Sequence, residues 1–294
     1  MKRLFAALAA IVTAVVLVVP AGADTPSESI AISPVDQHIS AGVGETKTGT
    51  VTVINDGQVG YDARVYAQPY SVKGEQYEPT FTGQNGRADA DTWLSFDHTS
   101  LHLDAGKSAE VTYTLHIPSA PAPGGHYAVI FAETQPAAGA SGSVVVRKRV
   151  GSLVYVTVTN GQLTREGRVD QTHIDGWQQT LPLTAWIRIE NIGNTDFAAT
   201  TTMTVRDVFG SVKYQADRTV NILPATIRRV DMPWDKAPWF GLVSVKIHAT
   251  YLDQNYDYQQ LVLIAPLWSL VLLVFIVLLL VWWAVYAGTR RAKR

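Results

Sequence analysis

Three stretches of this chain alternate apolar and polar side chains with a period of two, which limits much of it to half-buried β-strands. Val111, Tyr113, Leu115 and Ile117 would line one face of a strand, with Thr112, Thr114 and His116 on the other. Leu183, Ala185, Ile187 and Ile189 repeat the pattern against Thr184, Arg188 and Glu190. Val243, Val245, Ile247, Ala249 and Tyr251 repeat it against Ser244, Lys246, His248 and Thr250. Strands with one wet face belong to antiparallel sandwiches. Their β-branched content and their Gly, Pro and Asn boundaries argue against helices, so the class predicted is all-β.

The pattern is also duplicated. Val53-Ile54-Asn55-Asp56-Gly57, followed by Tyr61-Asp62-Ala63, aligns without a gap on Ile189-Glu190-Asn191-Ile192-Gly193, followed by Phe197-Ala198-Ala199. Asn and Gly tolerate positive φ, so Asn-x-Gly reads as a tight turn leading from one strand into the next. Later, Pro123-Gly124-Gly125-His126-Tyr127-Ala128-Val129 echoes Pro238-Trp239-Phe240-Gly241-Leu242-Val243, each a Pro/Gly turn feeding a late strand. Two tandem immunoglobulin-like β-sandwiches are expected, with a boundary near Asn160-Gly161. From Ser143 to Thr159, Val144, Val146, Val150, Val154, Val156 and Val158 share one parity, predicting one long last strand of the first sandwich, with Gly151 its one bend. Lys148 falls on the inner parity. A buried lysine needs a partner, whereas one at a sheet edge discourages edge-to-edge pairing, and the edge placement is expected.

The two ends predict export and a membrane anchor. Lys2 and Arg3 precede a charge-free apolar run from Leu4 to Val19, and Ala21-Gly22-Ala23 offers a signal-peptidase site. At the other end, Leu267 to Tyr286 is apolar except for Ser269, and at about 1.5 Å per residue it spans a ~30 Å hydrocarbon core. Trp268 sits near one interface of that span and Trp282, Trp283 and Tyr286 near the other. Arg290, Arg291, Lys293 and Arg294 follow as a cluster that stays cytoplasmic, giving a single-pass type I cell-membrane protein with its N-terminal region outside. The plan expected is a signal peptide over 1–23, domains over 24–160 and 161–257, a transmembrane helix over 262–288 and a basic tail over 289–294.

Composition narrows the function. A net charge of −1 gives no basic field for nucleic acid, and none is expected as a partner. With no cysteine, neither disulfides nor thiolate zinc sites are available. His98 and His102 are four apart, which would pair them on a helix but not on the extended segment expected there. Asp253-Gln254-Asn255-Tyr256-Asp257 imitates the start of a calcium loop, but Tyr258 stands where glycine is required and Ile264 where the bidentate glutamate belongs. No nucleophile elbow, phosphate loop or dinucleotide fingerprint is present. No catalytic residue, metal or cofactor is predicted, and a binding protein is favoured over a cell-envelope hydrolase.

The first module, from Ile30-Ala31-Ile32-Ser33-Pro34 through Val51-Thr52-Val53-Ile54-Asn55, Trp93-Leu94, Leu103-Asp104-Ala105-Gly106-Lys107 and Pro123-Gly124-Gly125-His126-Tyr127, resembles the N-terminal domain of WxL-interacting surface proteins. That resemblance implies a Gram-positive surface protein that binds a cell-wall component or a surface protein. The same strands, with Val145-Val146-Arg147-Lys148-Arg149-Val150, also look like a periplasmic pilus chaperone. That implies the alternative of a tethered assembly chaperone offering an edge strand to a client. Neither resemblance transfers a specific binding residue.

Immunoglobulin topology would gather the turns at Asp56 to Gly60 and Gln135 to Gly142 at the membrane-distal tip of module one. Asp56, Gly57, Gln58, Gly60, Gln135 and Gly142 are therefore the candidate partner-binding residues. The same reasoning puts Asn191, Asn194, Trp234 and Trp239 at the junction between the modules, far from the bilayer.

Overall fold

The computed structural model describes residues 28–82, 86–135 and 146–291, with the side chains of 270 and 286–291 left out. The expected signal peptide, Gly142, Lys293 and Arg294 lie outside these residues. Module one runs through β1 (Ile30–Ser33), β2 (Asp36–Ala41), β3 (Thr46–Asn55), β4 (Tyr61–Pro69), β5 (Ser71–Lys73) and β6 (Glu78–Thr80). It continues through β7 (Leu94–Phe96), β8 (Ser100–Leu103), β9 (Ser108–His116), β10 (Gly124–Thr134) and β11 (Arg149–Val158). Module two comprises β12 (Gly167–Ile174), β13 (Trp177–Gln178), β14 (Leu183–Asn191), β15 (Phe197–Asp207), β16 (Val212–Ile222), β17 (Thr226–Trp234), β18 (Gly241–Tyr251) and β19 (Gln254–Ile264). The helix α1 (Leu267–Arg291) follows.

Among the described residues ahead of α1 the fold is all-β apart from one 3-10 turn at Ala90–Trp93, and each module is a sandwich of two sheets. In module one a sheet ordered β1-β3-β9-β7 faces one ordered β2-β11-β10-β4-β8; in module two β12-β14-β17 faces β13-β19-β18-β15-β16. The alternation read from sequence fills the two cores. Val111, Tyr113, Leu115 and Ile117 are buried in one, and Leu183, Ala185, Ile187, Ile189, Val243, Val245, Ile247 and Ala249 in the other.

Both modules split their first strand between the two sheets. β1 pairs antiparallel with β3, and the chain then crosses so that β2 pairs parallel with β11. β12 and β13 do the same against β14 and β19. This corrects the expected edge at Ser143 to Thr159. The strand begins at Arg149, and β2 covers its outer side from Leu153 to Val158. Lys148 precedes the strand, half-buried, and its ammonium donates to the carbonyl of Glu28.

The repeated Asn-x-Gly has one structural job in both modules. Asn55 and Asn191 are fully buried at the ends of β3 and β14. The Asn55 carboxamide oxygen accepts from Gly57 N at 2.9 Å, while its nitrogen donates to the carbonyls of Val59 (2.9 Å), Leu103 (3.1 Å) and Asp104 (3.1 Å). Asn191 repeats this with Gly193 N (2.9 Å) and the carbonyls of Thr195 (2.8 Å) and Ile222 (2.8 Å). Leu103 ends β8 and Ile222 ends β16, so each asparagine shapes its own turn and ties one sheet to the opposite one.

At the C-terminal end, β19 continues to Ile264, past the Asp257 boundary expected for module two, and pairs with β18 along its whole length. Two residues, Ala265 and Pro266, separate it from α1, which starts at Leu267 rather than at 262. The helix is long and apolar enough to cross a bilayer, and none of its described side chains from Leu267 to Val285 is buried.

Replacing Asn55 or Asn191 by alanine removes at once every bond that its carboxamide makes to its own turn and to the facing sheet. Each substitution is expected to cost about 2 to 4 kcal/mol in chemical denaturation of the full chain. A loss below about 1 kcal/mol, the size of an ordinary exposed hydrogen bond, would remove the asparagine from this role.

Candidate functional site

The strand β10 is buried on both faces, and that property builds the junction. Ala128, Ile130 and Ala132 point into the core of module one. Tyr127, Val129 and Phe131 point the other way and join Tyr70, Tyr77 and Tyr155 in an apolar cluster continuous with the core of module two. Tyr155 lies edge-on to Tyr127 at 5.6 Å and to Tyr70 at 6.4 Å, and its other side stacks on His38 at 4.6 Å. Such ring geometries each contribute about 0.5–1.5 kcal/mol beyond the area they bury.

Around this cluster the β5–β6 hairpin of module one reaches onto β17, an edge of the three-stranded sheet. Arg229 N donates to Glu75 O at 2.9 Å, extending the ladder by one bond across the junction. The Glu75 carboxylate pairs with Arg188, and Gln76 donates to Asp231 at 3.1 Å. Tyr77 is the anchor. Its hydroxyl accepts from Leu223 N at 2.9 Å and hydrogen-bonds Thr226, and the Arg228 guanidinium lies 4.3 Å over its ring. Its φ of 58° is unusual for a bulky residue and is held by these contacts.

The second contact is turn against turn. Gly125 N donates to Asn194 O at 2.8 Å, and the Asn194 side chain donates to Gln162 O at 2.8 Å and Pro123 O at 3.4 Å. A Cβ on Gly124 would stand 2.2 Å from Asn194 O, and its φ is +109°, so only glycine permits this approach. Arg87 braces the same turn through Gly125 O at 3.1 Å. Tyr127 donates to Asp196 at 3.1 Å; burial, then the Asp196 charge, raise its hydroxyl well above the ordinary tyrosine value, so it stays a donor.

At the far end of β10, Gln135 N donates to Asp62 O at 2.7 Å, placing Gln135 beside the start of β4. The Asn55 bonds bring Val59 and Asp104 to the same place. Asp56, Gly57, Gln58 and Gly60 thus share this tip with Gln135, and Asp56, Gln58 and Gly60 are exposed. His102 sits among acids there, 2.7 Å from Asp62 and 3.6 Å from Asp104. The hydrogen bond to Asp62 raises its imidazole above the ordinary value. Beneath them, burial and then the charges of Glu28 and Asp56 push the Tyr61 hydroxyl up to about 12. Among the described residues, no group of three or more His, Asp or Glu side chains is arranged to hold a metal ion.

The four residues expected at the junction separate. Asn194 is in it, and Asn191 supports it from inside module two. Trp234 is buried against Tyr214, 5.5 Å away, within module two. Trp239 is at the opposite end, stacked on Trp268 of α1 at 6.1 Å and 12°. The correction follows from strand direction: β18 is antiparallel to β19, so the turn entering β18 lies beside the end of β19 and the start of the helix. Trp268, Trp282 and Trp283 lie along α1, as do Tyr286, Arg290 and Arg291 by backbone. Glu75, Gln76 and Tyr77 carry no sequence signal strong enough to single them out, whereas the Gly124-Gly125 pair already marked a tight turn.

No protein-family model matches the chain, and no curated protein does. Solved structures do. The class 5 fimbriae chaperone CfaA is 14% identical, with 80% of this chain and 99% of that one covered at a TM-score of 0.41. The YadV chaperone is 11% identical, with 78% and 99% covered at 0.44. A chain of the CsuC–CsuE chaperone–tip adhesion subunit complex from Acinetobacter baumannii is 10% identical, with 81% and 99% covered at 0.42.

Gly124→Ala should force the two turns apart, and Tyr77→Ala should release the hairpin. Each is expected to raise the rate of protease cleavage within residues 159–166 about tenfold in the full chain; rates equal to the parent would refute the junction as drawn. By nuclear magnetic resonance, His102 should titrate above its ordinary value and fall toward it in Asp62→Asn. Because the folded value is the higher one, this pair stabilises below the unfolded value, and its contribution is lost as pH rises through the folded value.

Proposed function

We propose that the protein is a membrane-anchored binding protein, without catalytic activity, that presents the tip of module one to a protein partner at the cell surface. In this reading residues 1–23 direct export and α1 spans the membrane once. Arg290, Arg291, Lys293 and Arg294 remain in the cytoplasm, and both sandwiches stand outside.

One observation carries the choice of surface. The Asn-x-Gly turn of module two is occupied: Asn194 receives the Pro123-Gly124-Gly125 turn of the module above it. In the ungapped alignment of the two repeats, Gln58 takes the place of Asn194. The tip turn Asp56 to Gly60 is held in shape by the same asparagine bonds as its counterpart, yet its residues Asp56, Gln58 and Gly60 face solvent. A surface that mates with a β-sandwich in one copy of the module is here free in the other. The partner that fits is a β-domain presenting a glycine-containing turn, on a surface protein or a protein bound to the cell wall. This agrees with what the resemblance to WxL-interacting proteins implies.

The edge-strand chaperone reading has less support. Its strand, β11, is paired on both sides from Leu153 to Val158, leaving Arg149 to Ser152 as the part without a β2 partner among the described residues.

A photo-crosslinking amino acid at Gln58 on intact cells should capture a discrete partner about tenfold more efficiently than one at the exposed flank residue Lys47. The purified partner should bind the full chain at least about tenfold more tightly than it binds the Asp56→Ala, Gln58→Ala double variant. Equal capture at the two positions, or equal affinity for the double variant, would sink this assignment.

A further inference from the structure

The end of module two nearest α1 is exposed and apolar in a way its core does not require. Phe209, at the tip of the β15–β16 hairpin, is 90% exposed, and Val208 beside it is 60% exposed. Trp239 and Phe240, in the turn entering β18, are 64% and 53% exposed. Strand register brings these two turns to one end. Asp207 pairs with Val243, and Gly241 pairs with Ile264, the last residue before the two-residue connection to the helix. At about 4.8 Å between neighbouring strands, the Phe209 turn lies roughly 10 Å to the side of β19 and near the level where the helix begins. Trp239 stacks on Trp268 in the first turn of α1, so its depth is tied to that of the helix.

Phe209 is also held out by design of its turn. The Asp207 carboxylate accepts from Phe209 N and Ser211 N, each at 2.9 Å, and pairs with Lys213 at 2.9 Å. A turn fixed by these bonds leaves a phenylalanine unpacked at the level where an unburied apolar helix begins, which calls for an apolar medium at that level.

We infer that this end of module two docks on the lipid bilayer, with Phe209, Trp239 and Phe240 seated in the headgroup and acyl boundary beside Trp268. The inference rests on the reading of α1 as a span. The occupant is lipid because Trp239 and Phe240 are continuous, through the Trp239–Trp268 stack, with the helix read as entering the membrane, and strand register sets Phe209 at the same level. At the boundary the phenylalanine rings bury in the acyl region, while tryptophan keeps its ring there and its indole N–H at the headgroups. The sandwich is thereby fixed on the membrane at three points: the helix and the two turns.

The chain has no cysteine, so a single introduced one can be labelled uniquely. Full-length protein carrying Ser211→Cys, Arg218→Cys or Val277→Cys, each bearing an environment-sensitive fluorophore, is placed in phosphatidylcholine nanodiscs with lipids spin-labelled at shallow or deep positions. The shallow quencher should act about threefold more strongly at 211 than at 218, which lies on the flank of the sandwich. Adding Phe209→Ser and Trp239→Ser should bring 211 down to the value at 218. Deep quenching at 277 with no excess quenching at 211 would overturn the docking while leaving the span intact. Absence of quenching at 277 would overturn the span, and the docking with it.

Discussion

Everything distinctive in this molecule depends on a buried carboxamide at the end of the second full strand of each sandwich. A chain without cysteine has no covalent tie between its sheets, and the closure must be made by polar groups that lose water only when every partner is in place. Asn55 and Asn191 do this by bonding their own turn and the end of a strand in the facing sheet at once. The turn that follows therefore has a fixed shape. In module two that turn carries Asn194, so the same asparagine that closes the core also shapes the surface on which module one sits.

The modules use equivalent parts in equivalent ways. The lower turn of module one, at Pro123-Gly124-Gly125, meets the upper turn of module two; the lower turn of module two, at Pro238-Trp239-Phe240, meets the first turn of the helix. What changes between them is side-chain chemistry. Glycine allows backbone to approach backbone in the first case, whereas an aromatic ring stacks on the helix in the second. The junction is reinforced by β10, which serves two cores at once. It is also reinforced by tyrosines whose hydroxyls burial raises above the ordinary value, so that Tyr127 remains a donor to Asp196.

The two sandwiches were legible in the sequence because period-two alternation reports directly on which side of a strand is wet. The Asn-x-Gly repeat was legible because a buried side chain that organises a turn needs its residues at fixed spacing. The hairpin at Ser71 to Thr80 was not, since its strands are three residues each and carry no alternation; its role comes from Tyr77 meeting residues about 150 positions further on. Nor was the pairing of Asp36 to Ala41 with β11, a contact between distant segments that no local pattern records. Trp239 shows a different failure. Its turn was identified correctly, but which end of the sandwich it occupies depends on the direction of every later strand, and a single reversal carries a residue from one end of the module to the other.

The connection between β19 and α1 is only Ala265 and Pro266, and Trp177 donates to Ala265 O at 2.9 Å, tying even that short piece to the sandwich. A joint so short has no swivel. With α1 read as a membrane span, a sideways pull on the far tip would be passed as torque to the helix rather than absorbed by a hinge. On that reading the two-residue connection makes the chain a bracket, and lengthening it would convert the bracket into a tether.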